Sequence, residues 1–209
     1  MLTVSEPIQP LDDTIMKYSD ASARLNDFRR QIADVRAKMR ATLAEVEPQE
    51  VSDYEFATMD GPIHLSNLFG KQPELILIHN MGVSCPNCTL WADGYNGVYR
   101  HMVTRAAFAV SSPDTPAVQR RIAESREWKF PMVSHGGTSF ASDMGYLSSK
   151  GKYLPGVSVF RRDREKITRI SDASFSPGDD YCVLWHFFDL LPEGASDWKA
   201  QAPAVAGSH

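Results

Sequence analysis

Leu75-Ile76-Leu77-Ile78-His79-Asn80-Met81-Gly82-Val83-Ser84-Cys85-Pro86-Asn87-Cys88 is the stretch from which the rest of the chain can be read. Four consecutive apolar residues with polar neighbours read as a short buried strand, here residues 75–80. A loop follows. Pro86 then favours the first position of a helix, where no backbone N–H is needed. This makes Cys85 the N-cap of a helix over residues 86–102 and puts Cys88 one turn in, on the same face. Residues three apart on a helix stand about 5–6 Å apart, within reach of a disulfide. The free N–H groups and the positive end of the helix dipole favour a thiolate on Cys85. The thiolate, and not the thiol of pKa about 8.5, is the nucleophile.

Strands and helices alternate from there. Phe108 to Ser111 reads as the next strand, Pro113 to Arg126 as a helix with Pro116 in its first turns, and Phe130 to Val133 as a short extended piece. Residues 138–146 read as helical. Such alternation implies βαβ units and a parallel sheet. The pattern then changes: Val157 to Phe160 and Lys166 to Ile170 flank a turn and make a β-hairpin. After Pro177-Gly178 a closing helix covers residues 179–191, with Tyr181, Leu184, Trp185 and Phe188 on one face. Upstream, Tyr54, Phe56 and Thr58, then Ile63 and Leu65, make two short strands around Asp60-Gly61-Pro62, and Ser66 is placed to cap a helical turn.

Residues 14–45 read as one long helix, in which Leu25, Phe28, Ile32, Val35 and Met39 recur at steps of three and four. The stripe covers about two heptads, short of what argues a coiled coil. It fits a helix docked on its own domain and equally a helix that pairs with a second copy in a homodimer. The expected organisation is a helical segment over residues 1–47, an α/β domain over 48–195 and a disordered Ala-, Gly- and Pro-rich tail over 196–209.

Composition narrows the class. With 209 residues the chain holds one domain and an appended helix, and its apolar (43%) and charged (23%) fractions are ordinary for a globular protein. A net charge of −4 gives no basic footprint for nucleic acid. No segment is long and apolar enough to span a membrane. Met1 to Asp13 lacks the basic start and apolar core of a signal peptide, so a cytoplasmic location is expected. The three cysteines, Cys85, Cys88 and Cys182, are too few and too odd in number for a disulfide framework. In a reducing compartment, Cys-x-x-Cys points to catalysis or metal.

The order of elements, with Cys-x-x-Cys after the first core strand, resembles the thioredoxin arrangement. Several stretches are more specific: Asp60-Gly61-Pro62 with Leu65 to Gly70, Cys85 to Cys88 followed by Trp91-Ala92-Asp93, Phe130-Pro131 with Val133-Ser134, and Gly156 to Phe160 with Arg162-Asp163. In this order they resemble the thioredoxin-like family known as domain of unknown function 899, described as predicted dithiol–disulfide oxidoreductases. The match runs from the N-terminal helix to about Gly194. The resemblance implies an α/β, thioredoxin-like fold of the peroxiredoxin-like subtype with an added long N-terminal helix. It also implies Cys85 as nucleophile and Cys88 as resolving thiol. A protein or small-molecule disulfide is the expected substrate, and the chemistry calls for no cofactor.

The chain departs from that pattern in places. His79 to Ser84 is shorter than the family leads one to expect. Thioredoxins carry a cis-proline just before the third core strand, beside the cysteines. Here that position falls on Val157, with Pro155 two residues earlier, and Pro155, Gly156 and Val157 are expected to border the substrate. A peroxiredoxin would keep a threonine three residues before its attacking cysteine. Gly82 stands there, which disfavours peroxidase activity.

Other residues have candidate roles. Trp91 would shelter the thiols from water, Asp93 would accept a proton from Cys88, and His79, as an imidazolium, would lower a thiol pKa. For each, an ordinary structural role is the competing reading. A metal site is the rival for the cysteines: Cys182 and His186, four apart on the closing helix, would join Cys85 and Cys88 in a Cys3His set for zinc or an iron–sulfur cluster. Against it, the two halves lie nearly a hundred residues apart, and a cysteine in an apolar helix is ordinary core. A non-catalytic assembly module is a third reading. His135-Gly136-Gly137 reads as a flexible loop without a role.

Overall fold

The computed structural model describes residues 15–201, in two compact units, Met1–Val46 and Glu47–His209. In the first unit, helix α1 spans Tyr18–Glu45 and has no buried residue. Leu25, Phe28, Ile32, Val35 and Met39 all lie exposed along it, and Leu43 continues the stripe.

The second unit is built on one eight-stranded sheet. The strands are β1 (Gln49–Val51), β2 (Glu55–Thr58), β3 (Gly61–His64), β4 (Glu74–His79), β5 (Ala107–Ser112), β6 (Met132–Ser134), β7 (Gly156–Asp163) and β8 (Lys166–Ser174). Their order across the sheet is β1-β8-β7-β4-β5-β6-β2-β3. β4, β5 and β6 run parallel, as the alternation required, with helices α3 (Pro86–Met102) and α4 (Pro116–Ser125) as the connections. β7 is antiparallel to both β4 and β8, so the hairpin closes the sheet beside the first core strand.

Side chains of β4 alternate between two apolar layers, as a strand buried on both faces must. Leu75 and Leu77 enter one cluster with Phe56, Leu65, Phe140, Tyr146 and Phe160. Ile78 enters the other with Phe108, Val110, Trp91 and the cysteines, and Ile76 packs against that cluster. Leu65, Leu75, Leu77 and Phe160 are fully covered, each worth roughly 2 kcal/mol of burial.

Several boundaries differ from the sequence reading. Leu65 opens a short helix, α2 (Leu65–Leu68), whose N-cap is His64 and not Ser66. The backbone N–H and the hydroxyl of Ser66 are both taken by the Asp53 carboxylate at 2.7 Å. Only Phe140–Asp143 (α5) of the expected residues 138–146 is helical. The closing helix, α6, is Val183–Phe188 and not residues 179–191. The Asp179 carboxylate accepts the N–H groups of Ser176 (3.0 Å) and Tyr181 (2.9 Å), which holds the chain in a turn before the helix can start. Beyond α6 the chain keeps packing: the Trp198 ring meets Trp185 and Phe188 edge-on at 5.6 and 5.1 Å. The rest of the expected tail, residues 202–209, lies outside the described residues. Among the described residues, no helix is long and apolar enough to cross a membrane.

Candidate active site

The two thiols sit where β4 hands over to α3. Cys85 is the N-cap of α3 with Pro86 in its first turn, and its sulfur accepts the Cys88 backbone N–H at 3.1 Å. The preceding loop is fastened to the next strand. The Gly82 N–H donates to Asn80 Oδ1 (2.8 Å), the Asn80 N–H to the Ser111 carbonyl (2.9 Å) and the Val83 N–H to Asp114 Oδ2 (3.0 Å). Gly82 has φ +103°, a conformation glycine adopts freely. A Cβ there would stand 3.0 Å from the Asp114 carboxylate.

The pair is asymmetric. Cys85 keeps 9% of its surface and Cys88 only 3%, so Cys85 is the more accessible of the two. The Cys88 thiol donates to the Cys85 sulfur and, with the Cys88 and Asn87 N–H groups, draws the Cys85 pKa down to about 7 against the opposing effect of burial. Cys88 moves far upward, through that same hydrogen bond, its burial and the charge on Cys85. Near neutral pH the Cys85 sulfur carries a large share of thiolate, while Cys88 keeps its proton.

Trp91 is buried in the thiol cluster, and its indole N–H reaches Asp179 Oδ1 at 3.3 Å. Sequence reasoning passed over Tyr95 and Asp179. The Tyr95 hydroxyl is buried in the same cluster without a hydrogen-bond partner. Its pKa is driven up first by burial and then by Asp179 and Cys88.

Two supporting roles do not hold. Asp93 does not face the thiols. It takes Arg126 Nε at 2.7 Å, pairs with a second guanidinium nitrogen of Arg126, and accepts the Trp128 indole N–H at 2.9 Å, tying α3 to the end of α4. His79 falls on the opposite face of the sheet from the cysteines, because it shares the parity of Leu75 and Leu77. Its ring stacks on Tyr146 at 3.7 Å, Nε2 lies 2.9 Å from Ser158 Oγ, and burial, His135 and Arg169 hold its pKa well below the ordinary value. A neutral histidine behind the sheet cannot serve a thiolate as an imidazolium. His135 is no flexible loop residue either: it is 2% exposed, with both ring nitrogens lacking a partner.

The proposed substrate border is partly closed. Val157 is buried in the thiol cluster and pairs in register with Ile78. Pro155 is half-buried, and its carbonyl accepts the Phe175 N–H at 3.0 Å. Gly156 is covered: a Cβ there would run into the Tyr146 ring and stand 2.6 Å from the Ala173 carbonyl. Gly156→Ala should therefore cost roughly 3 kcal/mol or more in a urea titration, since backbone and a packed ring must both move. An unchanged midpoint would mean that this contact is soft.

The four-residue metal set is not assembled. Cys182 is the N-cap of α6, in extended conformation (φ −128°, ψ 113°), so the spacing to His186 does not begin on a helix. Cys182 is buried in the thiol cluster, and burial raises its pKa. His186 is exposed, 3.4 Å from Asp180. Among the described residues, no group of three or more His, Cys, Asp or Glu is placed to hold a metal ion.

Known structures share this architecture. The chain is similar to the peroxidoxin BcpB of Mycobacterium tuberculosis (TM-score 0.54, 24% identity), over 62% of this chain and 86% of that one. It is also similar to reduced Prx3 of Vibrio vulnificus, solved in complex with H2O2 (TM-score 0.50, 14% identity), over 64% of this chain and 90% of that one. The fold is thioredoxin-like, of the peroxiredoxin-like type, with a long N-terminal helix added. No curated protein sequence matches the chain significantly. A family model does match, over residues 21–205, and the chain belongs to that family, described as "Bacterial protein of unknown function (DUF899)".

Proposed function

We propose that this protein is a dithiol–disulfide oxidoreductase. The observation that carries the reading is the asymmetry of Cys85 and Cys88: one thiol at the helix N-cap drawn down to about 7, the other deeper and pushed up. In the first step the Cys85 thiolate attacks one sulfur of a substrate disulfide. That S–S bond breaks, a mixed disulfide forms, and the leaving thiolate takes a proton. The charge on Cys85 is then gone and Cys88 no longer has a thiolate to donate to, so its own proton leaves more readily. Cys88 attacks the Cys85 sulfur, the second substrate thiol departs, and two electrons have passed to the substrate. The Cys85–Cys88 disulfide is returned to the dithiol by an external dithiol reductant.

Alkylation with iodoacetamide tests the first step. One thiol should react with a midpoint near pH 7. Below it the rate should fall about tenfold per pH unit as the thiolate is protonated, and above it the rate should level off. The oxidised couple should form reversibly in a dithiol redox buffer. Two thiols that both titrate near 8.5 and form no intramolecular disulfide would overturn the reading.

Peroxide reduction is the second reading, supported by the shared fold with peroxiredoxins. Gly82 and the Asp114 carboxylate against it weigh on the other side. Consumption of peroxide at rates well above those of free cysteine would favour that reading.

A further inference from the structure

A cleft of about 530 Å³ begins at Pro86 and Asn87, the two residues between the thiols. Its far walls include Pro177, Trp185, Asp189, Trp198 and Lys199. Trp185 and Trp198 meet edge-on at 5.6 Å, and Trp198 is 39% exposed. The segment that builds this wall also carries large apolar side chains into solvent: Val183 (63%), Phe187 (61%), Leu190 (71%) and Leu191 (53%). Pockets for small ligands enclose most of the molecule they bind. An open cleft flanked by exposed apolar side chains is instead the mark of a surface that another polypeptide covers.

Charge narrows the partner. From Pro177 to Trp198 there is no lysine or arginine, while Asp179, Asp180, Asp189, Glu193 and Asp197 fall in that span. Asp189 stands in the cleft wall, and no ion pair engages it among the described residues. Among the described residues Lys199 is the one cation in the cleft wall, opposite in charge to Asp189, and the segment around α6 as a whole is apolar with an excess of carboxylates.

We propose that this cleft is the substrate-docking site. It takes an extended, cysteine-containing polypeptide with an aromatic or large aliphatic residue beside its disulfide cysteine and lysine or arginine further out. The proposal rests on the dithiol reading and deepens it. The apolar residue lies against Trp185 and Trp198, its neighbouring cysteine comes to the start of α3, and the basic residues meet the carboxylates around α6.

The test is binding, kept separate from chemistry. The full-length chain carrying Cys85→Ser and Cys88→Ser is titrated into a fluorescently labelled nine-residue peptide. The peptide has Ser in place of Cys, an adjacent Phe and Lys at both ends; a second peptide has Glu at both ends. Anisotropy should show saturable binding of the Lys peptide. The Glu peptide should bind severalfold more weakly at low salt, and the gap should narrow as salt is added. Trp198→Ala should weaken binding roughly tenfold. Asp189→Lys, at an exposed position outside the core, should shrink or invert the preference between the peptides even if Trp198→Ala fails to fold. Absence of saturable binding, equal affinity for both peptides, or an unaltered preference in Asp189→Lys each overturns the proposal. Reduction of a small disulfide by the parent protein is measured alongside. Reduction without peptide binding sinks the cleft alone; peptide binding without reduction sinks the dithiol reading and leaves a polypeptide-binding surface.

Discussion

Cys85→Ser is expected to abolish disulfide reduction, by roughly 10³-fold or more, because a serine hydroxyl offers no comparable anion at neutral pH. Cys88→Ser should fail differently. Cys85 still attacks, but nothing resolves the product, so the substrate stays attached as a mixed disulfide that mass spectrometry detects and a dithiol removes. The structure adds a second effect. The Cys88 thiol is the foremost influence lowering the Cys85 pKa, so Cys88→Ala, which removes that donor where serine would keep one, should also move the alkylation midpoint of Cys85 upward from about 7. With Cys88→Ala the trapped complex should thus form more slowly at pH 7 than with Cys88→Ser, and catch up as the pH rises. Turnover by both single variants at the parent rate would remove the mechanism altogether.

Acid should destabilise the fold well above the range in which carboxylates titrate. His135 is held at about 4 by burial, from an ordinary 6.5, and His79 is lowered in the same direction by burial, then by His135 and Arg169. Both pKa values are depressed in the folded state, so the unfolded chain binds more protons once the pH drops below about 6.5. The stability these neutral rings allow is complete above that value and declines as the pH falls toward 4. For His135 alone the shift corresponds to roughly 3 kcal/mol, and His79 adds to it. Domains of this kind hold only about 5–15 kcal/mol in all. Urea titrations at pH 7 and pH 4.5 should show the midpoint falling sharply. His135→Phe, which removes two unpartnered nitrogens from an aromatic setting of Phe140 and Tyr153, should flatten that slope. A parent midpoint that stays level from pH 7 to 4.5 would show that these rings accept protons without cost. Glu74, paired with Arg105 and Arg161, acts in a lower window, because its pKa is depressed below the usual carboxylate value.

The parts of this architecture that could be read from the sequence are those fixed by local chemistry. Pro86 marks the start of α3, and the helix runs Pro86–Met102 as read. The parity of β4 was also legible: Leu75, Leu77 and His79 must share a face, which already separates His79 from a sulfur on the Ile78 side. Contacts between distant segments were not. Asp93 finds Arg126 and Trp128 more than thirty residues later, and its spacing within α3 gives no hint of either partner. β1 is three residues long and exists by pairing Val51 with Ile167, a match across the whole domain. The shortening of α6 depends on Asp179, a local turn former whose competition with the helix is visible only once its carboxylate is seen to hold the N–H groups of Ser176 and Tyr181. His135 looked like loop because two glycines follow it, yet Phe140 and Tyr153 cover it.

The loop at Gly82 bears on how this chain can change over evolutionary time. A threonine placed there meets a positive φ and the Asp114 carboxylate together, while that carboxylate also holds the Val83 N–H and the Ser112 hydroxyl. Mutating either position alone loses something: a threonine at 82 takes a strained backbone and presses on the Asp114 carboxylate, and a loop without Asp114 has lost its tether. The two sites are epistatic. A threonine at 82 is therefore better tolerated when Asp114 changes with it and the backbone between them re-forms.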